Sequence, residues 1–294
     1  MKCLLTGAGG QLATELARCA PADVDVRSMS IESLDITSPD QIASHFESIR
    51  PDVVINAAAW TDVDGAEENE SEAATINSHG ARLLAESCRA HSARMIHVST
   101  DFVFDGRSGT PYPPDAETSP LSAYGRTKRD GERAILETLP SSGLVVRTAW
   151  LYSSHGHNFL LTMLKLMSER NHIKVVCDQH GTPTSAASLA GTIWDLAGTS
   201  ASGLYHWTDG GHTSWHGFAQ AIHDIARMKG ILDHDVTIEP IPGDQWPTPA
   251  RRPASSVLDI ASTEAIIDRT ASPWEEELSS ILDDIPVMNG KMDE

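Results

Sequence analysis

Tyr124 and Lys128 stand four residues apart in the run S-A-Y-G-R-T-K, residues 122–128. At that spacing in a helix, a phenol and an ammonium project from one face. A free tyrosine ionises near pH ~10 and is a poor acid or base at neutrality. A cation held beside it favours the phenolate, lowers that value and makes the phenol useful for proton transfer. Ser119-Pro120 is expected to open the helix, as a cap residue followed by a proline suited to a first helical position. Ala134, Ile135 and Leu139 continue an apolar face. Taken alone, the pair also fits a half-exposed tyrosine and a solvated lysine. Its weight comes from the elements that precede it.

The chain begins with a short apolar run, residues 2–6, followed by G-A-G-G-Q-L-A and a helical pattern through Leu12, Leu16 and Ala17. Strand, glycine turn and helix in that order form the setting of a dinucleotide fingerprint. Gly7 allows the tight turn, Gly10 admits a pyrophosphate to the helix N-terminus, and Ala13 takes the small third position. A second strand is expected at 23–27. An acidic residue about twenty positions past the fingerprint would bind the ribose of NAD. Here Arg27 stands twenty beyond Gly7. A cation suits a 2′-phosphate, so NADPH is favoured and NADH stays open.

A helix is expected from 39 to 49, then a near-continuous apolar strand, D-V-V-I-N-A-A-A, of the kind a parallel sheet covers on both faces. Ala57, Ala58 and Ala59 fall at its carboxyl end, where small side chains permit close packing against a dinucleotide. A helix around 73–90 leads to R-M-I-H-V-S-T-D, a strand ending in polar groups. Further strands are expected at 144–152, 173–177, 204–207 and 236–240, with helices at 159–167, 188–197 and 214–229. Arg251 and Arg252, adjacent after a proline-rich loop, are candidates for a substrate diphosphate, because guanidinium binds phosphate through two parallel hydrogen bonds. A solvated pair is the alternative.

The 294 residues carry a formal net charge of −19, which argues against nucleic acid and anionic membranes as partners. No apolar run approaches the ~20 residues of a membrane span. The N-terminus enters a strand directly, so no signal peptide is expected. The four cysteines contain no Cys-x-x-Cys, so thiols in a reducing cytoplasm are expected. The thirteen histidines give no His-x-x-x-His in a helix beside a carboxylate, and no catalytic zinc is expected.

Together the glycine turn, N-A-A-A, S-T-D-F-V-F-D-G and Y-G-R-T-K resemble the extended short-chain dehydrogenase/reductases. Within them the chain is most similar to the dTDP-4-dehydrorhamnose reductase family. L-D-I-T (34–37), R-T-A-W-L-Y (147–152), D-Q-H-G-T-P-T (178–184) and R-R-P-A-S-S-V-L (251–258) carry that likeness to about residue 285. The resemblance implies an α/β fold: a Rossmann-type, doubly wound parallel sheet with a smaller C-terminal α/β substrate-binding region. Residues 1–150 would form the nucleotide domain, with 173–200 returning to it. Residues 151–172 and 201–294 would cover its carboxyl edge.

The resemblance implies a third catalytic group, Thr100, whose hydroxyl would bond the sugar carbonyl as charge develops. It extends the cofactor set to Gln11, Leu12, Asp35, Ile36 and Thr61. It places Trp150 against the deoxysugar. Related 4,6-dehydratases have Asp then Glu after the Thr. Here Asp101 is followed by Phe102, so reduction without elimination is expected. The family more often has Tyr at the Phe102 position. The implied reaction is reduction of the C4 ketone of dTDP-4-dehydro-β-L-rhamnose to dTDP-L-rhamnose. Alternatives are another nucleotide 4-keto-deoxysugar, a non-catalytic cofactor-binding regulatory subunit, or an NAD-retaining epimerase. A homodimer, and a magnesium ion at its contact with Glu15 facing out of the first helix, are raised by the family alone.

Overall fold

The computed structural model describes residues 1–286. In chain order its strands are β1 (Lys2–Thr6), β2 (Asp25–Met29), β3 (Val53–Asn56), β4 (Arg94–Thr100), β5 (Gly143–Thr148), β6 (Leu151–Tyr152), β7 (His172–Val176), β8 (His180–Gly181), β9 (Thr184–Ser185), β10 (Gly203–His206), β11 (Thr213–Ser214) and β12 (Thr237–Ile241). The α-helices are α1 (Gln11–Arg18), α2 (Pro39–Ile49), α3 (Gly65–Glu68), α4 (Glu70–Ala74), α5 (Ala81–His91), α6 (Ala123–Thr138), α7 (Phe159–Glu169), α8 (Ala186–Ala197), α9 (Trp215–Met228), α10 (Ala261–Ile267) and α11 (Trp274–Asp283).

Six strands form one parallel sheet in the order β10-β5-β4-β3-β1-β2. Consecutive side chains on a strand point to opposite faces. Leu5, Ile55 and Val146 therefore meet α1 and α8 through Leu16, Leu189 and Ile193 on one side. Their neighbours Leu4, Val54 and Val145 meet α2, α5 and α6 through Phe46, Leu84 and Ile135 on the other. A sheet covered on both faces needs apolar residues at every position, which is why these strands read as unbroken apolar runs. The doubly wound fold expected from the sequence is the one observed.

A second core lies beside the carboxyl edge. There α7, α9 and α11 enclose Tyr152, Leu160, Phe218, Ile222, Ile238 and Leu278, and β7 pairs in parallel with β12. Two segments sit differently from the sequence-based division. The returning segment was expected to start at 173, yet β7 pairs with β12 and belongs to the smaller region. Conversely β10, expected in the substrate region, adds to β5 as the edge of the main sheet. Arg94 guides that return: its guanidinium donates to the carbonyls of Ala197, Thr199 and Ala201, at 3.0, 2.6 and 3.0 Å. Trp194 anchors α8 on α1 by donating from Nε1 to Leu16 O at 2.9 Å. Residues 287–294, assigned to the substrate region from sequence, lie outside the described residues.

Candidate active site

Two backbone contacts set the position of α6. A Cβ on Gly125 would lie 2.2 Å from Phe102 O, and one on Gly131 would lie 2.2 Å from Asn77 O. Only glycine lets the helix approach the turn after β4 this closely. The cap is Ser122, whose Oγ accepts from Gly125 N at 3.1 Å, and Ala123 N donates to Glu67 Oε1 at 2.8 Å. The helix thus starts later than Ser119-Pro120 suggests. Ser119 N is taken by Val103 O at 2.9 Å, which holds that stretch against the β4 turn instead.

This seating brings Tyr124, on the first turn of α6, beside Thr100 at the end of β4. The Thr100 hydroxyl also donates to Asp101 Oδ1 at 3.0 Å and accepts from Phe102 N at 3.2 Å. Phe102 packs edge-on to Tyr124, with ring centroids 5.7 Å apart. Burial pushes the phenol up to about 12, against a lowering effect of the neighbouring Thr100 hydroxyl. Burial also pushes Asp101 up to about 6, and it brings Lys128 down to about 8. Lys128 Nζ donates to Val98 O at 2.6 Å and lies 3.3 Å from His97 Nε2. In this geometry the cation expected to lower the Tyr124 value is directed to β4. Burial keeps the phenol protonated at neutral pH, and only a more basic oxygen can take its proton.

The glycine turn meets the end of β3. Gly7 has φ of +84°, and a Cβ there would lie 2.8 Å from the backbone of Ala57 and Ala58. Gly9, at φ +91°, has open space where its Cβ would point. Gly10 is the N-cap of α1 with no side chain bonded to the first-turn N–H groups of Gln11 and Leu12. An uncapped helix N-terminus behind a glycine turn is an anion cradle, and it fits a dinucleotide pyrophosphate. Ala57, Ala58 and Ala59 are half-buried along the strand end, and Thr61 is exposed just beyond. The Asp35 carboxylate is taken by its own loop, through Thr37 N and Oγ1 at 2.8 and 2.7 Å, and Ile36 is buried in the core. Those two residues offer a ligand mainly backbone.

Arg27 lies two residues short of the strand end that meets the glycine turn. β2 runs to Met29, whose carbonyl accepts from Ala8 N at 3.0 Å, while Arg27 pairs in register with Leu4 and bonds Asp25 at 3.0 Å. The strand begins and ends two residues later than the sequence suggested, so the basic side chain sits mid-strand. Glu15 also differs from expectation. It is buried at 2% exposure, paired with Arg18 at 3.1 Å and near His155 at 3.6 Å, rather than facing out. Among the described residues, no group of three or more His, Cys, Asp or Glu side chains is placed to hold a metal.

Where the sequence places the substrate, Trp150 takes φ of +48° and stacks on Trp215, centroids 3.5 Å apart and planes within 7°. A Cβ on Gly181 would lie 2.6 Å from the Trp150 ring, which explains the glycine in D-Q-H-G. Arg252 is engaged by Asp64, at 2.9 and 3.2 Å, while Arg251 is exposed. Gln11, expected in the cofactor set, has its side chain engaged within the protein, since its Oε1 accepts from Ser153 Oγ at 2.8 Å and Asn158 Nδ2 at 2.7 Å. Sequence reasoning missed Trp215, at the start of α9. It left no signal, since its partner is remote in sequence.

Comparison with known proteins matches residues 1–287 to a family model described as the RmlD substrate binding domain. A dTDP-4-dehydrorhamnose reductase of Burkholderia thailandensis is 43% identical over 280 residues, covering 92% of this chain and 93% of its own. A dTDP-4-keto-6-deoxy-D-glucose reductase of Streptomyces niveus is 42% identical over 258 residues, 87% of either chain. The crystal structure of dTDP-4-dehydrorhamnose reductase from Bacillus anthracis, in complex with NADP, superposes with a TM-score of 0.91 at 33% identity, covering 96% of this chain and 99% of that one.

Proposed function

This chain belongs to the RmlD substrate binding domain family, and from that premise we propose that it is an NADPH-dependent reductase of dTDP-4-dehydro-β-L-rhamnose, forming dTDP-L-rhamnose. The observation that carries the reading is the joint placement of Tyr124, Thr100 and the glycine cradle at the carboxyl edge of one parallel sheet. NADPH, when bound, supplies the hydride for the sugar's C4. Tyr124 gives its proton to the forming alkoxide, and its burial keeps that proton in place until the alkoxide develops. The Thr100 hydroxyl turns from Asp101 to the sugar oxygen, a bond that strengthens as negative charge builds there. The first turn of α1 holds the pyrophosphate. Trp150 offers an aromatic surface to the deoxysugar, and Arg251 is the cation available for the substrate diphosphate.

The choice of NADPH rests on the NADP complex of the Bacillus anthracis relative, and no longer on Arg27. A cytoplasmic homodimer belongs to the same reading and rests on family likeness; sedimentation velocity tests the assembly. Among the described residues no helix is long and apolar enough to cross a membrane. A second substrate is favoured by a specific observation: the Streptomyces niveus relative, named for a 4-keto-6-deoxy-D-glucose, is nearly as similar.

The test is turnover of purified protein with NADPH, or with NADH, against a panel of dTDP-4-keto-deoxysugars. Loss of reduced-nicotinamide absorbance with dTDP-4-dehydrorhamnose, giving dTDP-rhamnose, supports the proposal. Faster turnover of the glucose-configured ketone moves the assignment to that substrate. Cofactor binding with no turnover of any ketone defeats the enzyme reading in favour of a regulatory subunit.

A further inference from the structure

Behind Lys128 lies a chain of buried polar groups that the proposed reaction leaves unused. Asn56 ends β3 and His97 lies on β4, both at 1% exposure. Ala58 N donates to Asn56 Oδ1 at 3.1 Å, and the Thr6 hydroxyl donates to the same oxygen at 2.6 Å. A backbone N–H can only donate, so the Asn56 amide is fixed with its oxygen toward Ala58. Its NH₂ then faces His97 Nδ1 at 3.0 Å and must donate to it. His97 Nδ1 is therefore a lone pair, and the single ring proton sits on Nε2. That N–H is aimed at Lys128 Nζ, 3.3 Å away.

We propose that Asn56 and His97 are positioning residues that present an N–H, not a lone pair, to Lys128, so that the pair favours the amine over the ammonium. The other side of Nζ donates to Val98 O. An amine satisfies both contacts, one as donor and one as acceptor. An ammonium places two donors face to face at His97. The proposal rests on the reductase reading for its purpose. Once Tyr124 has given up its proton, the phenolate must be recharged. An ammonium whose value is lowered gives up its proton more readily toward that phenolate, the resulting amine accepts the His97 N–H, and a proton taken up from bulk solvent restores the ammonium.

The charged and titratable groups around Lys128 are few. His97 faces it from β4. Tyr124 lies one turn back on α6. Glu132, one turn forward on α6, favours the ammonium but is itself held by Arg147 of β5, at 2.8 and 2.7 Å. Burial, which brings Lys128 down to about 8, acts in the same direction as the His97 N–H, and burial followed by the Lys128 charge holds His97 well below its ordinary value.

The first test needs no activity: ¹⁵N NMR of the full chain labelled at histidine. His97 is assigned by its loss in His97→Gln, or by its backbone correlations should that variant not fold. The expected signal is a neutral ring with Nε2 protonated and no titration from pH ~5 to ~9. An Nδ1–H tautomer, or an imidazolium in that range, overturns the proposal even if the protein is a reductase. The second test reverses the chain with Asn56→Asp. The carboxylate accepts from Nδ1–H, the tautomer flips, and Nε2 becomes an acceptor for the ammonium. The alkaline limb of kcat/KM then moves up by about one pH unit, with KM for the sugar unchanged. A lower rate with an unmoved limb, while the NMR shows the flip, means a structural role only and overturns it too. Absence of turnover in the wild type defeats the reductase reading and leaves the tautomer test standing.

Discussion

Around Tyr124 the backbone does the positioning, whereas around Trp150 side chains do it. The helix proposed as catalytic is seated by two glycines against carbonyls of the β4 turn and the 75–80 segment, and on its inner face Tyr124, Thr127, Lys128 and Glu132 are buried. The face proposed for the substrate combines half-buried Trp150 and Trp215 with buried Gly181 and exposed Arg251, each delivered by a different element. The first arrangement tolerates no added atom. The second can exchange one contact for another. Chemistry common to many ketones can use the rigid layer, while the choice of ketone falls to the adaptable face.

Substitutions can break or sharpen this contrast. The largest effect is expected from Tyr124→Phe, which should lower kcat on the order of 10²–10⁴-fold with circular dichroism and melting temperature unchanged; retention of full turnover would remove Tyr124 from the mechanism. Next comes Gly125→Ala. Its methyl meets a carbonyl rather than a yielding side chain, so a stability loss of about 2–4 kcal/mol is expected in urea unfolding, with activity falling in parallel. An alanine tolerated there at no cost would mean that the layer is not rigid.

Asp101→Asn probes the same layer by pH. Burial raises the Asp101 carboxyl in the folded state from an ordinary 3.8 to about 6. The folded protein therefore binds a proton more readily than the unfolded chain. Stability from this group is full below 3.8 and is lost as pH rises through 6. The asparagine should thus stabilise the fold by about 1–3 kcal/mol at pH ~8, and the gain should vanish toward pH ~4 in thermal melts. A gain that grows on acidification would reverse the sign of the argument.

Smaller changes are expected on the open face. Trp215→Ala removes one stacked ring, worth about 0.5–1.5 kcal/mol, and should raise KM for the sugar nucleotide several-fold while kcat changes little. Arg251→Ala should be weaker still, within about 1 kcal/mol, visible as a salt-sensitive rise in KM for the dTDP-sugar and none for NADPH. A kcat loss in either variant would mean that the two regions are not separable.

What could be read from the sequence follows the same divide. Local patterns spoke clearly: Ser38 and Pro39 cap α2, and its span of 39–49 needed nothing beyond residues near in the chain. The apolar strands and the S-A-Y-G-R-T-K run were legible for the same reason. The helix read as continuous over 73–90 instead widens into a π-helix at Thr75–Gly80. There the Asn77 side chain bonds Trp60 and Thr127, partners that no local pattern reveals. Arg27 was misplaced by a short error in strand register. Trp215 and β10 were hidden because each gains its meaning only from a partner far back in the chain.

The late arrival of β10 has a consequence for how this protein is made. Until residue 206 leaves the ribosome, β5 is an unpaired sheet edge, and the α10 segment that packs against β10 and α8 follows still later. A nascent chain stopped near residue 150 would expose a parallel edge ready to pair with another chain. The nucleotide-binding half is therefore no independent module to be cut out and moved. It is closed by residues that pass first through the smaller region, so the halves must complete together.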